Sequence, residues 1–377
     1  MKRFLLAFLL IYSLMNAFVY VRLKVLLPEW SLARMAAIMF MAFMVFAPVL
    51  TRLLERSGMW AAARSLGFVG FCWLGFLFYC FLGFLLVLAF GTVLQLLNLA
   101  TGFCLPVLSG PATALSVLVL AVLINIYGFF EASSIRVERV VLESNKLPPG
   151  VDRVRIAQIS DVHLGLMAAE KRMAKILDAV QAQGPDLLVS TGDLLDGKLS
   201  KREPIEALFA KVCPRLGKFA VTGNHEVYAG LDESIAAQRA FGFTVLRGEA
   251  KIVDNILTIA GVDDPAANHD GEETKILGGV QNGLFTLLLK HRPHPADTSL
   301  GLFDLQLSGH THYGQLFPFR YIVALFYPFQ NGPYYLPKGS VLYTSRGSGS
   351  WGLPVRVLAR PEVTIIDVVA SASKRQE

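Results

Sequence analysis

Apolar and polar residues follow two different textures along the chain, and the change between them falls near residue 134. Before it, apolar stretches cover residues 4–21, 35–50, 66–97 and 105–130. A helix needs roughly 20 such residues to cross a bilayer. The third stretch runs over 32 positions with no polar turn to divide it, so it predicts one long tilted or bent helix rather than two spans. The fourth is approached through Pro106 and Ser109-Gly110-Pro111. Soluble helices keep one polar face, which speaks against a buried helical core here. The first stretch follows Lys2-Arg3 like a signal peptide, but no small-x-small cleavage site comes after it and more spans do. It reads as an uncleaved first span.

From about Ile135 the runs shorten and alternate. Residues 153–160, 186–191 and 218–223 predict strands, with helices over 168–182 and 201–211 between them. Later strands are expected at 285–291, 304–310, 341–345 and 363–369, with little helix among them. A βαβ start and a strand-rich finish point to an α/β domain with sheets packed face to face and helices outside. The expected organisation is an α-helical transmembrane bundle of about four spans over residues 1–134, followed by one α/β domain over 135–377.

Charge sharpens that division. Residues 1–134 carry eight Lys/Arg and three acids, leaving 27 and 26 for the remainder. The basic balance therefore belongs to the first third, where cations flank apolar runs as they do beside a membrane. The nearly neutral C-terminal part has no electrostatic footprint for nucleic acid, and none is expected as a partner. Four spans place both ends of the bundle on one side. That side holds Lys2, Arg3, Arg52, Arg56, Arg64, Arg136 and Arg139, against Arg22, Lys24 and Arg34 on the other. Seven against three predicts a cytoplasmic catalytic domain, which a fifth span would reverse. The spans hold almost no ionisable residues, which excludes an ordinary transport pathway. Cys72, Cys80, Cys104 and Cys213 form no CxxC and no disulfide framework.

The chemistry-bearing motifs follow predicted strands. Ser160-Asp161-Val162-His163 comes after the first, Gly192-Asp193-Leu194-Leu195-Asp196 after the second and Gly223-Asn224-His225-Glu226 after the third. His291 and Gly309-His310-Thr311-His312 follow two later strands. Ligand sites of open α/β sheets lie beyond strand carboxyl ends, so these loops can share one rim. Asp-x-His or Gly-Asp-x-x-Asp alone reads equally well as a turn. Five of seven histidines in this series are not explained as satisfied core residues. His269 and His294 are, by contrast, read as ordinary, with His294 in an exposed Arg-Pro-His-Pro loop. Imidazole, carboxylate and carboxamide oxygen together suit Mn, Fe or Zn. Seven such ligands exceed one ion's need and point to two ions sharing a carboxylate, an arrangement that binds phosphoryl oxygens and generates hydroxide for in-line attack.

In this order the motifs resemble the calcineurin-like metallophosphoesterase superfamily over roughly residues 150–370. His291-Arg292-Pro293, Tyr343-Thr344-Ser345-Arg346-Gly347 and Pro354-Val355-Arg356 look like its bacterial membrane-associated, YkuE-like branch. The resemblance implies a four-layer α/β/β/α sandwich in a bacterial inner-membrane protein. It implies that Asp161, His163 and His312 hold one metal and Asn224, His291 and His310 the other, with Asp193 bridging. His225 would protonate the leaving oxygen and Asp196 would orient a neighbour. The implied cofactors are two divalent or trivalent ions, manganese among them, and the implied reaction is hydrolysis of phosphoester or pyrophosphate bonds by metal-bridged hydroxide. Tyr313 departs from the family's small residue after Gly-His-x-His, and its phenol is expected to narrow the pocket.

Residues 316–329 are strongly aromatic. They read either as a loop folded on its own core or as an apolar lip touching a bilayer or an acyl chain. The expected substrate is a phosphorylated small molecule or a lipid-linked one such as a nucleotide-activated glycolipid pyrophosphate. A broad phosphodiesterase without lipid preference is the alternative. A catalytically silent binding module is another, though every family ligand position is filled.

Overall fold

The structure is a computed structural model that describes residues 2–29, 31–102, 108–166, 170–197, 199, 201–268 and 273–371. Cys104, Pro106 and His269 lie outside those residues. The chain divides into two compact units, Met1–Phe130 with Gly352–Val355, and Glu131–Trp351 with Arg356–Glu377.

The first unit is helical. Helices α1 (Lys2–Leu23), α2 (Leu32–Arg56), α3 (Trp60–Thr101) and α4 (Gly110–Ser133, ending in the second unit) are long and apolar enough to cross a membrane. At 1.5 Å per residue the 42 residues of α3 extend about 63 Å, roughly twice a hydrocarbon core. It is one helix, as the undivided apolar run predicts. Small residues let the helices approach: a Cβ on Gly70 would stand 3.0 Å from Ala47. Polar side chains are paired inside, with Trp73 Nε1 donating to Asn16 Oδ1 at 3.2 Å and Asn16 Nδ2 to the Tyr12 carbonyl at 2.9 Å. Leucines and phenylalanines face outward along all four helices.

The second unit holds two six-stranded sheets. In chain order its elements are β1 (Arg136–Ser144), β2 (Arg153–Ile159), α5 (Glu170–Gln181), β3 (Leu187–Thr191), α6 (Glu203–Ala210), β4 (Lys218–Val221), α7 (Asn224–Ala229), α8 (Leu231–Ala240) and β5 (Thr244–Val245). Then follow β6 (Glu249–Val253), β7 (Leu257–Gly261), α9 (Glu273–Gly278), β8 (Phe285–Leu289), β9 (Leu305–Ser308), α10 (Arg320–Val323), β10 (Gly332–Tyr335), β11 (Val341–Thr344) and β12 (Glu362–Ala370). One sheet has the order β1-β12-β2-β3-β4-β5 and the other β10-β11-β9-β8-β7-β6.

Strand alternation sorts the core into layers. Val154, Ile156, Leu187, Val189 and Phe219 face Leu257, Ile259, Phe285, Leu287 and Leu305 between the sheets. Ala157, Ile159 and Leu188 turn the other way and pack with Ile176 of α5, Phe209 of α6 and Ile235 of α8. On the far face Ala260 and Leu288 meet Leu277 of α9. Helices, two sheets and a thin outer layer are the sandwich expected from the sequence.

Parallel pairing decides where the chemistry goes. β2, β3 and β4 are mutually parallel, as are β7, β8 and β9, so the carboxyl ends of each group share an edge. Gln158 Nε2 joins the two sheets there, donating to Thr191 Oγ1 and to the Ser308 carbonyl, both at 2.9 Å.

Candidate metal centre

The loops leaving these strands are zipped together before any side chain is considered. Asp161 N donates to the Gly192 carbonyl at 3.0 Å, His163 N to Asp193 O at 3.0 Å and Leu164 N to Leu194 O at 2.8 Å. Glu226, fully buried, gathers three backbone donors from two loops: Asp193 N at 2.9 Å, Leu195 N at 2.9 Å and Gly223 N at 2.7 Å. Burial and the nearby Asp193 charge push its carboxyl up to about 7, against the N–H groups that favour the anion. Gly223 must lack a Cβ, which would fall 2.6 Å from the Asp193 nitrogen.

Asp161, His163, Asp193, His310 and His312 all have left-handed backbones, with φ between 47° and 72°. Each such residue costs on the order of 1 kcal/mol or more and persists only where the surroundings over-determine it. Concentrated in five of seven predicted ligands, the strain marks a centre built for function.

The side chains form two adjoining groups. Ligand atoms of Asp161, His163 and His312 lie within 4.8 Å of one another, and so do those of Asp193, His291 and His310. In the second group His291 Nδ1 donates to the Thr191 carbonyl at 2.8 Å. Its Nε2 then faces Asp193 Oδ2 at 3.2 Å, Asn224 Oδ1 at 3.3 Å and His310 Nδ1 at 3.1 Å. Asp193 Oδ2 also lies 4.0 Å from His163 Nε2, so one carboxylate faces both groups. In the first group His163 Nε2 and His312 Nε2 are 2.9 Å apart, with Asp161 Oδ1 3.6 Å from the latter. His163 Nδ1 is buried with no hydrogen-bond partner among the described residues.

So many acceptor atoms turned on one another inside protein are a poor hydrogen-bond network and a good cation site. The electrostatics agree. Burial drives His163 down to about 4, His310 to about 2 and His312 well below its ordinary value, which keeps these rings neutral as ligands must be. Burial also opposes ionisation of Asp193, but His291 beside it holds its carboxyl well below the usual range. His291 itself is pushed up to about 10 by the Asp193 charge, despite burial. Without metal a proton supplies the positive charge that two buried carboxylates require, and a divalent cation fits the same need.

Each group has its own backing. Arg356, fully buried, donates from NH2 to His312 Nδ1 at 2.8 Å, and its other nitrogens donate to the carbonyls of Gly349, Arg346 and Ala359, each at 2.8 Å. His310 Nε2 instead meets the Tyr327 hydroxyl at 2.9 Å. Beside the groups, His225 Nδ1 lies 2.5 Å from Asp196 Oδ1, and His225 N donates to Asp193 Oδ1 at 2.8 Å. The Asp196 hydrogen bond raises the His225 pKa although burial works the other way. His225 also lies within ligand distance of His163 and Asp193. Thus all nine residues singled out by sequence meet at this edge.

The aromatic segment is partly as expected. Phe319, Tyr321, Ile322, Leu325 and Phe326 are exposed, while Phe317 and Phe329 are half-buried against Tyr321 and Tyr334. A cavity of about 260 Å³ opens between this segment and His310, lined also by Thr311, Val323 and Tyr327. Tyr313 belongs to the same cluster: its hydroxyl accepts from Arg320 at 3.2 Å, and Arg320 lies over the rings of Tyr313, Phe317 and Tyr321. His294 is exposed, as read from its loop.

The profile of the Calcineurin-like phosphoesterase family matches residues 154–314, which contain every residue of the centre except Arg356 and Tyr327. An uncharacterised metallophosphoesterase of Aquifex aeolicus is 39% identical over 255 residues, covering 66% of this chain and 97% of that one. The chain belongs to the calcineurin-like metallophosphoesterase family. YkuE, an uncharacterised metallophosphoesterase of Bacillus subtilis, is similar at 31% identity, over 63% of this chain and 86% of its own. A Danio rerio transmembrane protein with metallophosphoesterase domain is 32% identical over 67% of this chain and 62% of its own length. As a metallophosphoesterase this chain joins an enzyme domain to long apolar helices.

Sequence reasoning missed the roles of three contributors. Glu226 stood in plain view within Gly-Asn-His-Glu, and its position three residues after Gly223 is a capping signal. Arg356 appeared only as part of a branch signature. Tyr327 lay within the aromatic segment 316–329, but nothing local marked it as the one that reaches His310.

Proposed function

We propose that this metallophosphoesterase hydrolyses phosphoester or pyrophosphate bonds at a membrane surface, on lipid-linked substrates. Asp161, His163 and His312 would hold one metal ion and Asn224, His291 and His310 the other, with Asp193 shared between them. Bound there, two cations supply charge neutralisation at phosphoryl oxygens and activation of water. His225, with Nδ1 tied to Asp196, has Nε2 left to deliver a proton to the leaving oxygen. Glu226 keeps Asp193 and the loops of His163 and Asn224 in register. Manganese, iron and zinc all suit this donor set. The Lys/Arg distribution supports a catalytic domain on the cytoplasmic face of a bacterial inner membrane.

The lipid preference rests on one observation: an apolar cavity walled by exposed Ile322 and Phe326 opens directly at His310. Apolar surface of this kind marks an interaction site, and four helices long and apolar enough to cross a membrane would confine the enzyme where acyl chains are abundant. The test replaces Ile322, Leu325 and Phe326 with Ser in the full-length protein. Turnover of a lipid-linked pyrophosphate in vesicles should fall about ten-fold or more, a few kcal/mol of apolar contact being lost, while soluble bis-4-nitrophenyl phosphate is cleaved as before. Equal losses on both would make the segment structural. Unchanged vesicle activity would favour the broad phosphodiesterase reading.

A further inference from the structure

Two exposed aromatic rings flank His225. Tyr228, one turn along α7, is 70% exposed, and its ring centroid lies 5.5 Å from the imidazole. Trp351 reaches it from a loop more than a hundred residues away, is 54% exposed and lies 5.8 Å off. Both rings are inclined 67° to the imidazole. Single exposed aromatics need no explanation. Two converging on one imidazole beside a metal centre do.

Trp351 is, moreover, held in place. Gln315 Nε2 donates to the Trp351 carbonyl at 3.0 Å, and Trp351 N donates to Gln315 Oε1 at 2.9 Å. Gln315 N in turn donates to the His312 carbonyl at 2.9 Å. Gln315 keeps this reach from a left-handed backbone, with φ 54°, a conformation few non-glycine residues adopt. The Trp351 backbone is thereby tied to the turn that carries His312, and its side chain remains exposed. An exposed indole and an exposed phenol are stacking surfaces for flat rings.

We infer that Tyr228 and Trp351 form the leaving-group subsite and select a leaving alcohol that carries an aromatic ring, such as a nucleobase. This rests on the phosphoesterase reading, in which His225 stands at the leaving oxygen. A ring attached to that oxygen lies within reach of both side chains. Apolar chains would instead occupy the cavity at His310, on the other group of the centre. The two subsites divide a substrate with an aromatic end and a lipid end.

Benzyl phosphate and hexyl phosphate, each as monoester and as methyl diester, test the subsite in the full-length protein. Their leaving alcohols have similar basicity, so intrinsic reactivity cancels when the benzyl-to-hexyl ratio of kcat/KM is compared between proteins. The ratio should fall about ten-fold in Trp351→Ala and in Tyr228→Ala, as stacking of one ring predicts. Hexyl turnover should stay within about two-fold of the parent. Adenosine should quench indole emission of the metal-free protein, and the quench should vanish in Trp351→Phe. Ratios unchanged in both alanine variants, with no quench, overturn the subsite, and they would suit an indole that serves the bilayer instead. If no ester is cleaved with any metal, the phosphoesterase reading fails; the adenosine quench then still decides whether the rings bind.

Discussion

The two groups of the metal centre are made of the same residue types and sit in opposite surroundings. Behind Asp161, His163 and His312 the backing is sealed: Arg356 is fully buried and spends its remaining donors on backbone carbonyls, while half-buried His225 stands on their other side. Around His310 the backing residue is Tyr327, which borders an apolar cavity and exposed side chains. A ligand set fixed by a buried guanidinium is rigid. One completed by a phenol at a cavity mouth can adjust to what occupies the cavity. The difference teaches that one half of the centre is backed by a fixed, buried cation and the other by a phenol at a cavity mouth, the two being joined by Asp193.

If that division is right, variants should separate by side. Asp193→Asn strikes both, because its Oδ2 faces His163 and His291 alike. Metal content should fall toward zero and diester hydrolysis should become undetectable. Two metals retained with most of the activity would dissolve the shared-carboxylate account. His225→Gln should keep both metals and lose on the order of 10²–10⁴ in rate, the usual worth of a proton donor. Metal loss there would make His225 a ligand, its ring nitrogen lying within 4.8 Å of ligand atoms of His163 and Asp193.

Arg356→Met sharpens the comparison on the sealed side. It removes the donor to His312 and leaves three carbonyls without a partner, each costing about 1–3 kcal/mol. About one ion per chain should be lost while the other stays, read by elemental analysis alongside thermal unfolding. A milder Arg356→Lys should recover part of the metal. Loss of both ions in equal measure would contradict the sidedness. On the open side Tyr327→Phe removes only a hydroxyl partner of His310. It should retain both metals and slow soluble diesters less than about ten-fold, a typical outer-contact effect.

How much of this was legible beforehand follows from where each signal lives. The ligands could be read because each sits at the end of an apolar strand, and strand ends converge in α/β sheets. Strand and helix bodies were found within a few residues: 186–191 is Leu187–Thr191, and 201–211 is Glu203–Ala210. By contrast Arg136–Ser144 gave only a change of texture, since its strand exists by pairing with Glu362–Ala370, more than 200 residues on. The hairpin of β6 and β7 was also missed, as Asp254-Asn255 form its turn with positive φ amid little alternation. The aromatic lip was located, yet Phe317 and Phe329 turn inward while Ile322 and Leu325 face out. No local pattern distinguishes those. Arg356 was legible as a letter and not as a role, because its partner His312 is 44 positions away.

The account depends on two cations sharing Asp193, and metal stoichiometry tests that most directly. Purified full-length protein should contain about two transition-metal ions per chain by elemental analysis. A chelator should remove them and abolish bis-4-nitrophenyl phosphate cleavage, and added manganese, iron or zinc should restore both together. One ion per chain at full activity, or cleavage indifferent to chelation, would contradict it.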